Sequence, residues 1–348
     1  MDSVTQIVLG AAVGEAVLGK KMGNKAVLVG GIAGTIPDLD VLFSPFMSEV
    51  DGLAFHRGIS HSILFAVIGA LFFGWISFRI FNKKRTQISG YDKSRGSLLE
   101  WQMLFLLGLL THTLLDCFTM YGTQLFAPFS DYRVAFNTIA VADIFYTIPF
   151  IFCLIMTMIS KPASRRRTLW NYAGLTISSL YLLCTVVNKS IVTSKFKEAL
   201  SEQNIPYRDM IVGPTILTNF LWSVTADEGE VYYSAQYSWF DTSPIKYNVI
   251  KKNHDLISDG EDDRTIGILK WFTKGFYNVL ELPDDKIQVN DLRFGTFNND
   301  DETKQYIFRF VLEQQGNGEY KMLSADGGPP PGEEKQVFFD LWARIKGN

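Results

Sequence analysis

The chain has 348 residues, 47% of them hydrophobic and 20% charged, with a formal net charge of −3, which leaves room for two domains. Charge divides it: residues 1–190 hold eleven acidic and sixteen basic side chains, a balance of +5, while residues 191–348 hold twenty-five and seventeen, a balance of −8. The three cysteines, Cys117, Cys153 and Cys184, all lie in apolar stretches, which excludes a disulfide framework and leaves the polar part without a thiol to report its compartment.

In chain order, residues 3–18 and 24–36 are short Ala, Gly and Val rich segments joined by GKKMGNK. Each is too short to cross a ~30 Å hydrocarbon core comfortably. They predict a packed helical hairpin, with VLVGGIAG serving close helix contact. Asp2 stands where a signal peptide is basic, and Glu15 interrupts the apolar run, so the first segment is expected to stay in the mature protein. Four further stretches, about 60–81, 99–119, 139–159 and 168–190, have the length and apolarity of spanning helices.

Past Lys189, SKFKEALSEQN continues as an amphipathic helix, and FLWSVTAD and EVYYSAQYSWF, joined through DEGE, predict a hairpin. FYNVLEL, IQVNDLRFGTF and QYIFRFVLEQ read as strands, ILKWFTKGF and KQVFFDLWARIK as helices, and GGPPPGEE as a loop. His254, in KKNHD, is expected to be a solvated loop residue. The predicted fold class is a multi-pass α-helical membrane domain over 1–190, with six apolar segments, followed by a small α+β soluble domain over 191–348.

Short cytoplasmic loops are enriched in Lys and Arg. Thirteen of the sixteen bases before residue 190, among them Lys20, Lys21, Lys25, Lys84 and Arg165, fall on one side of the expected topology. That side is read as the cytoplasm, which puts the N-terminus and, after six crossings, the C-terminal domain outside it. All the candidate ligands then fall at the outer ends: Asp38 and Asp40 after the second segment, His56 and His61 opening the third, His112 and Asp116 closing the fourth, Asp143 opening the fifth.

Ionisable groups are costly in a bilayer, at least ~2.5–3.5 kcal/mol for an Asp at a helix centre, so a cluster of them points to function. His112 and Asp116, four apart, share a helix face. An extended PDLD would send Asp38 and Asp40 to the same side. Gly58 allows a turn, and Ser60 is placed to cap a helix starting at His61. Three imidazoles and four carboxylates suit one or two divalent ions, zinc first by donor chemistry, with manganese, iron or cobalt as alternatives. Such ions activate water and polarise phosphoryl or carbonyl oxygens. Arg57, inside HRGISH, and Arg133, in GTQLFAPFSDYR, are the candidate holders of a phosphate, Arg57 in a catalytic role.

MDSVTQIVLGAAVGEAVLG, IPDLD, HRGISHS and GLLTHTLLDCFTMYGTQLFAPFS, in that order, resemble the YdjM-like family of inner-membrane-associated metal-dependent hydrolases, also described as LexA-binding. The resemblance covers roughly residues 1–150. It implies His56, His61, His112 and Asp116, with Asp38 and Asp40, as metal-site residues. Family members often open MDxxTH, where this chain has Gln6; an amide is a weak ligand, so Gln6 is expected to support the site. The HxxxD helix is also similar to that of the zinc-dependent phospholipase C class, through a short pattern.

The expected function is hydrolysis at the outer membrane face, on a phosphoester or lipid-linked substrate. The competing class is a non-enzymatic membrane protein with a structural metal and a regulatory role, its basic loops meeting a cytoplasmic partner. Membrane lipids and a lipid-linked substrate are the expected partners, with no direct binding of nucleic acid.

Overall fold

Among the described residues, the six apolar segments all form helices. The computed structural model describes residues 1–82, 95–260, 263–296, 306–316, 318–329 and 332–347. The basic residues Lys83, Lys84, Arg85 and Lys93 lie outside them, as do Pro330 and Pro331 of the expected GGPPPGEE loop. The chain divides into two compact units. The first comprises Met1–Leu42, Phe55–Phe136 and Val141–Thr185, and the second Phe43–Ala54, Asn137–Ala140 and Val186–Asn348.

The first unit opens on a hairpin of α1 (Ser3–Met22) and α2 (Asn24–Thr35). Asp2 caps α1 by accepting from Thr5 N–H. The two helices touch backbone to backbone. A Cβ at Gly14 would lie 2.3 Å from Ala26 O, and one at Gly30 would lie 2.3 Å from Gly10 O. Only glycine permits that approach, the small-xxx-small packing of membrane helices. Leu18, Ala26, Val29 and Ala33 of the hairpin then form a core with Ala70, Trp101, Leu104 and Phe105.

A 3₁₀ segment, Pro37–Phe46, follows α2, then α3 (Glu49–Phe55), a 3₁₀ turn Ile59–His61, α4 (Ile63–Asn82), α5 (Leu98–Cys117), α6 (Ile144–Ile159) and α7 (Arg165–Glu202). Of these, α4, α5 and α7 are each long and apolar enough to cross a membrane. A fourth span results if α2 and Pro37–Phe46, bent by 46°, are taken together. The outward faces of α4, α7 and the shorter apolar helix α6 carry large apolar side chains such as Phe72, Leu180, Ile148 and Phe152, as expected of helices facing lipid. The fifth apolar stretch begins as helix only at Ile144, because the Asp143 carboxylate accepts from Phe145 and Tyr146 N–H and starts it there. α7 joins the last apolar stretch and the amphipathic one in a single 38-residue helix.

Glu15 and Arg167 form a buried fork, with Nε donating to Oε1 at 2.7 Å and Nη2 to Oε2 at 2.6 Å. Nη1 donates to Asn24 Oδ1. Gly19 belongs to the same design, since a Cβ there would strike the Glu15 carboxylate. Arg167 is therefore a link between helices more than a loop charge.

The second unit holds two antiparallel meanders, β1 to β4 and β5 to β8. The first comprises β1 (Asp209–Pro214), β2 (Leu221–Asp227), β3 (Val231–Ser238) and β4 (Asn248–Lys251). α8 (Arg264–Thr273) precedes β5 (Tyr277–Leu282), β6 (Lys286–Thr296), β7 (Tyr306–Gln314) and β8 (Tyr320–Gly327), and α9 (Glu334–Ile345) closes the chain. The β2–β3 hairpin pairs Asp227 with Tyr232, turning at DEGE as expected. Val192 and Phe196 of α7 pack on Val212, Trp222 and Val224 of the first sheet. Ile211, Tyr232, Phe276, Leu292 and Tyr306 fill the space between the sheets.

Three strands had no sequence signal: β1 is Gly and Pro bearing, β4 has four residues, and β8 is polar at its end. His254 departs from the solvated reading. Its ring stacks on Tyr277 at 4.1 Å, and Nε2 donates to Tyr277 O at 2.9 Å. Burial lowers its pKa below the usual imidazole value.

Replacing Glu15 by Ala strands a buried guanidinium, an effect worth ~3–5 kcal/mol. The expected outcome is a marked loss of thermal stability in detergent, largely recovered in the Glu15→Leu/Arg167→Met double variant. Equal stability of Glu15→Ala and wild type would show that the fork carries no weight.

Candidate metal centre

Four side chains from three parts of the first unit converge on one point: Asp38 from the 3₁₀ segment, His61 from the 3₁₀ turn, and His112 and Asp116 from one face of α5. One ligand atom from each lies within 4.8 Å of the others. His61 Nε2 and His112 Nε2 are 3.1 Å apart. Asp38 Oδ1 is 3.2 Å from the first and 3.4 Å from the second. Asp116 Oδ2 is 3.4 Å from His61 Nε2 and 3.5 Å from His112 Nε2. A tetrahedral zinc with ~2.0–2.1 Å bonds has ligand-to-ligand edges of about 3.3–3.4 Å, so the set fits such an ion.

The hydrogen-bond network assigns the ring protons. His112 Nδ1 lies 2.6 Å from Gly34 O, which can only accept, so Nδ1 carries the hydrogen. Ser60 Oγ donates to Asp40 Oδ2 at 2.9 Å, so at 2.9 Å from His61 Nδ1 it accepts from that ring. With Nδ1 engaged on both rings, Nε2 is the atom of each that faces the other donors and would bind a metal. Asp116 Oδ2, wholly buried, has no hydrogen-bond partner. A buried carboxylate oxygen with no hydrogen bond is unfavourable alone and becomes favourable around a cation. The residues present thus fit a divalent metal.

The sequence-derived candidates separate into layers. Asp38 and Asp40 do not share a side, because PDLD is 3₁₀ helix and not extended; at three residues per turn, positions two apart point in different directions. Asp38 joins the four donors. Asp40 instead holds the histidine turn: it faces His56 Nδ1 at 2.9 Å and accepts from Arg57 N–H at 3.0 Å and from Ser60 Oγ. His56 is outside the four-donor group, its ring centroid 6.0 Å from that of His61. Asp143 is not brought to the group, for it caps α6 and accepts from Tyr181 OH at 2.9 Å. The helix after His61 is capped by Ser62, which accepts from Phe65 N–H, leaving Ser60 free to join Asp40 to His61.

Arg57 has a positive φ of 58°, a conformation that costs a non-glycine residue of order 1–3 kcal/mol and tends to occur at functional sites. Asp40 at its N–H and Gln124, donating to its carbonyl, hold it there. Its buried guanidinium donates from Nη1 to Thr119 Oγ1 at 2.9 Å, while Nε, 3.4 Å from Asp116 Oδ2, makes no hydrogen bond. Arg133 donates to Tyr121 O and Gly122 O. Both guanidinium groups lie over the Tyr121 ring, at 4.7 and 4.8 Å. Gln6 donates from Nε2 to Asp116 Oδ1 at 3.0 Å and to His112 O at 3.3 Å, and the Met1 ammonium pairs with Asp116 Oδ1. Gln6 thus orients a donor without being one. Thr119, Tyr121 and the Gly34 carbonyl had no sequence signal, whereas Ser60 was visible beside His61 with a different role.

A family model described as "YdjM inner membrane protein" matches residues 1–192. Among curated proteins, the "Uncharacterized protein YfhP" of Bacillus subtilis (strain 168) is 26% identical over 247 residues, 67% of this chain and 67% of that protein. No solved structure matches.

Elemental analysis of purified protein tests the layering. Asp116→Asn and His112→Ala are each expected to lose most bound divalent metal while still inserting in the membrane. Asp40→Asn, which disturbs only orientation, should weaken metal affinity about 10–100-fold, and Asp143→Asn should leave it unchanged. Full metal content in both Asp116→Asn and His112→Ala would remove the centre.

Proposed function

The chain belongs to the YdjM inner membrane protein family, and from that premise and the four convergent donors we propose that it is a membrane-bound metal-dependent hydrolase. Asp38, His61, His112 and Asp116 would hold one divalent ion, zinc by donor chemistry. When bound, such an ion polarises a phosphoryl or carbonyl oxygen and brings the ionisation of water towards neutral pH.

Arg57 is the observation that carries hydrolysis. A structural ion enclosed by four side chains has no use for a second cation beside it, and the two repel. An anionic substrate oxygen at Arg57 Nε would give a hydrogen bond to a buried donor that has none, its neighbour Asp116 Oδ2 lying 3.4 Å away. Arg133 braces Tyr121, on which Arg57 lies, so its part in substrate binding is indirect. Access is from the Asp38 side: that side chain is 23% exposed, while those of His61, His112 and Asp116 are fully buried. A phosphoester is the class that suits Arg57, and a lipid-linked one suits a centre at the ends of apolar helices.

The non-catalytic reading draws on the donor count, since four protein ligands are the number that closes a structural zinc site. Assays across phospholipids and isoprenoid phosphates separate the two. Hydrolysis should vanish with chelator and return with zinc or manganese. Arg57→Ala should lower kcat by about 10²–10³ with metal content retained, and Arg57→Lys should restore only part, lacking the planar fork. Fully metal-loaded protein that turns over none of these substrates would decide for the structural role.

The distribution of bases supports a centre facing outward, with the C-terminal domain outside the cytoplasm. A reporter active only outside the cytoplasm should be active when fused at Asn348 and silent near Lys84. The reverse pattern would place the centre inside.

A further inference from the structure

The second unit carries an aromatic surface at a defined height on α7. A helix of 38 residues is about 57 Å long, nearly twice the ~30 Å hydrocarbon core, so its C-terminal part must leave the bilayer. Asn188 marks the level at which it does, at the end of the apolar run. Its Nδ2 donates to Asn219 O at 2.8 Å and Asn219 Oδ1 at 2.7 Å, and its Oδ1 accepts from Trp239 Nε1 at 2.8 Å. Asn219 Nδ2 in turn donates to Thr138 O at 2.7 Å, in the segment that leads into α6. The connection between β1 and β2 and the turn after β3 are therefore tied to Asn188 of α7.

Ile216, Phe220, Trp239 and Phe240 lie in those two connections, 38, 36, 38 and 54% exposed. The Phe220 and Phe240 rings are 5.7 Å apart. The last turn of α9 is pinned to the same place: Ser238 Oγ donates to Ile345 O at 2.5 Å, and Arg344 forks onto Asp241 at 2.6 and 2.8 Å. That brings up Trp342, 43% exposed. Val187 and Ile191, either side of Asn188 on the helix, are exposed as well.

We propose that the C-terminal domain rests on the bilayer through this collar of Ile216, Phe220, Trp239, Phe240 and Trp342, seated among the headgroups of the leaflet from which α7 emerges. An exposed apolar patch of this kind marks an interaction surface. Its height selects lipid as the occupant, because rings tied to Asn188, where the apolar run of α7 ends, lie where Trp and other amphipathic aromatics collect at the membrane–water boundary. Trp239 has the matching chemistry: its indole N–H is satisfied by Asn188 while its ring remains open to an apolar phase. The proposal depends neither on the metal centre nor on which leaflet is involved.

Site-directed spin labelling of the full chain in phospholipid vesicles tests it. In a Cys184→Ser background, which removes the exposed native thiol, labels are placed at Phe220→Cys and Phe240→Cys, with Leu323→Cys on β8 as reference. At 220 and 240, oxygen collisions should exceed those of a water-soluble nickel chelate several-fold, and the order should reverse at 323. Nickel access at 220 and 240 equal to that at 323 would overturn the proposal. So would shielding from both reagents, which would mean that protein covers the patch. A second measurement needs no label: brominated lipids should quench wild-type tryptophan fluorescence more than that of Trp239→Phe/Trp342→Phe, and equal quenching would overturn the collar.

Discussion

Two imidazole nitrogens, His61 Nε2 and His112 Nε2, are held 3.1 Å apart, and much of the first unit serves to hold them so. Each is fixed from behind by a partner that leaves the ring no other choice: Gly34 O for His112, and Ser60, itself committed to Asp40, for His61. Outer partners of this kind set tautomer and ring orientation at metal sites. The glycine seam of the hairpin belongs to the same constraint. A Cβ at Gly34 would come within 2.5 Å of Gln6 O, so the close approach of α1 and α2 presents the Gly34 carbonyl to His112 and the Gln6 amide to Asp116 together. A seam that looks like simple packing also sets the centre's hydrogen bonds.

The 3₁₀ segment after α2 contributes the other layer. Its tight winding lets adjacent acids do different work, Asp38 supplying a donor and Asp40 holding His56, Arg57 and Ser60. Arg57 links the layers. Its strained backbone is tied down by Asp40 and Gln124, and its side chain reaches the carboxylate oxygen that no hydrogen bond satisfies. Strain here has an identifiable consequence, since it carries the guanidinium past Tyr121 towards Asp116.

Much of this was legible from spacing. The i,i+4 relation of His112 and Asp116, the Pro after α2 and the Gly between the two histidines each have local geometric meaning, and the convergence of their segments followed from chain order. What spacing could not give was direction. His56 and His61 belong to one motif yet only His61 joins the donors, because the turn between them rotates the first ring onto Asp40. Asp143 carries the same chemistry as Asp38 but stands where α6 needs a cap. In the second unit, alternation revealed the longer strands, whereas β1 and β4 owe their pairing to neighbours and have little pattern of their own. His254 looked solvated because its neighbours are polar, but its cover, Tyr277, comes from β5, more than twenty residues on.

The hairpin also supplies its own control for reading the centre as functional. α1 carries Gln6 and Glu15 about 13.5 Å apart along its axis, each reaching a buried charged group. At Glu15 the charges match: a carboxylate meets a guanidinium through two hydrogen bonds, and Asn24 takes a third. Among the described residues, every buried polar side-chain atom of that fork has a hydrogen-bond partner, whereas Gln6 Oε1, Asp116 Oδ2 and Arg57 Nε have none. Fold stability alone favours the first arrangement, because each unmet buried polar atom costs about 1–3 kcal/mol. A fold that completes its polar contacts at one end of a helix and leaves three incomplete at the other has room at the second end for something further. An unmet carboxylate oxygen beside two imidazole nitrogens suits a cation, and the unmet Arg57 Nε suits an anion. A centre that suits both, with Asp38 as its partly exposed member, has the chemistry to hold an anionic ligand against a metal.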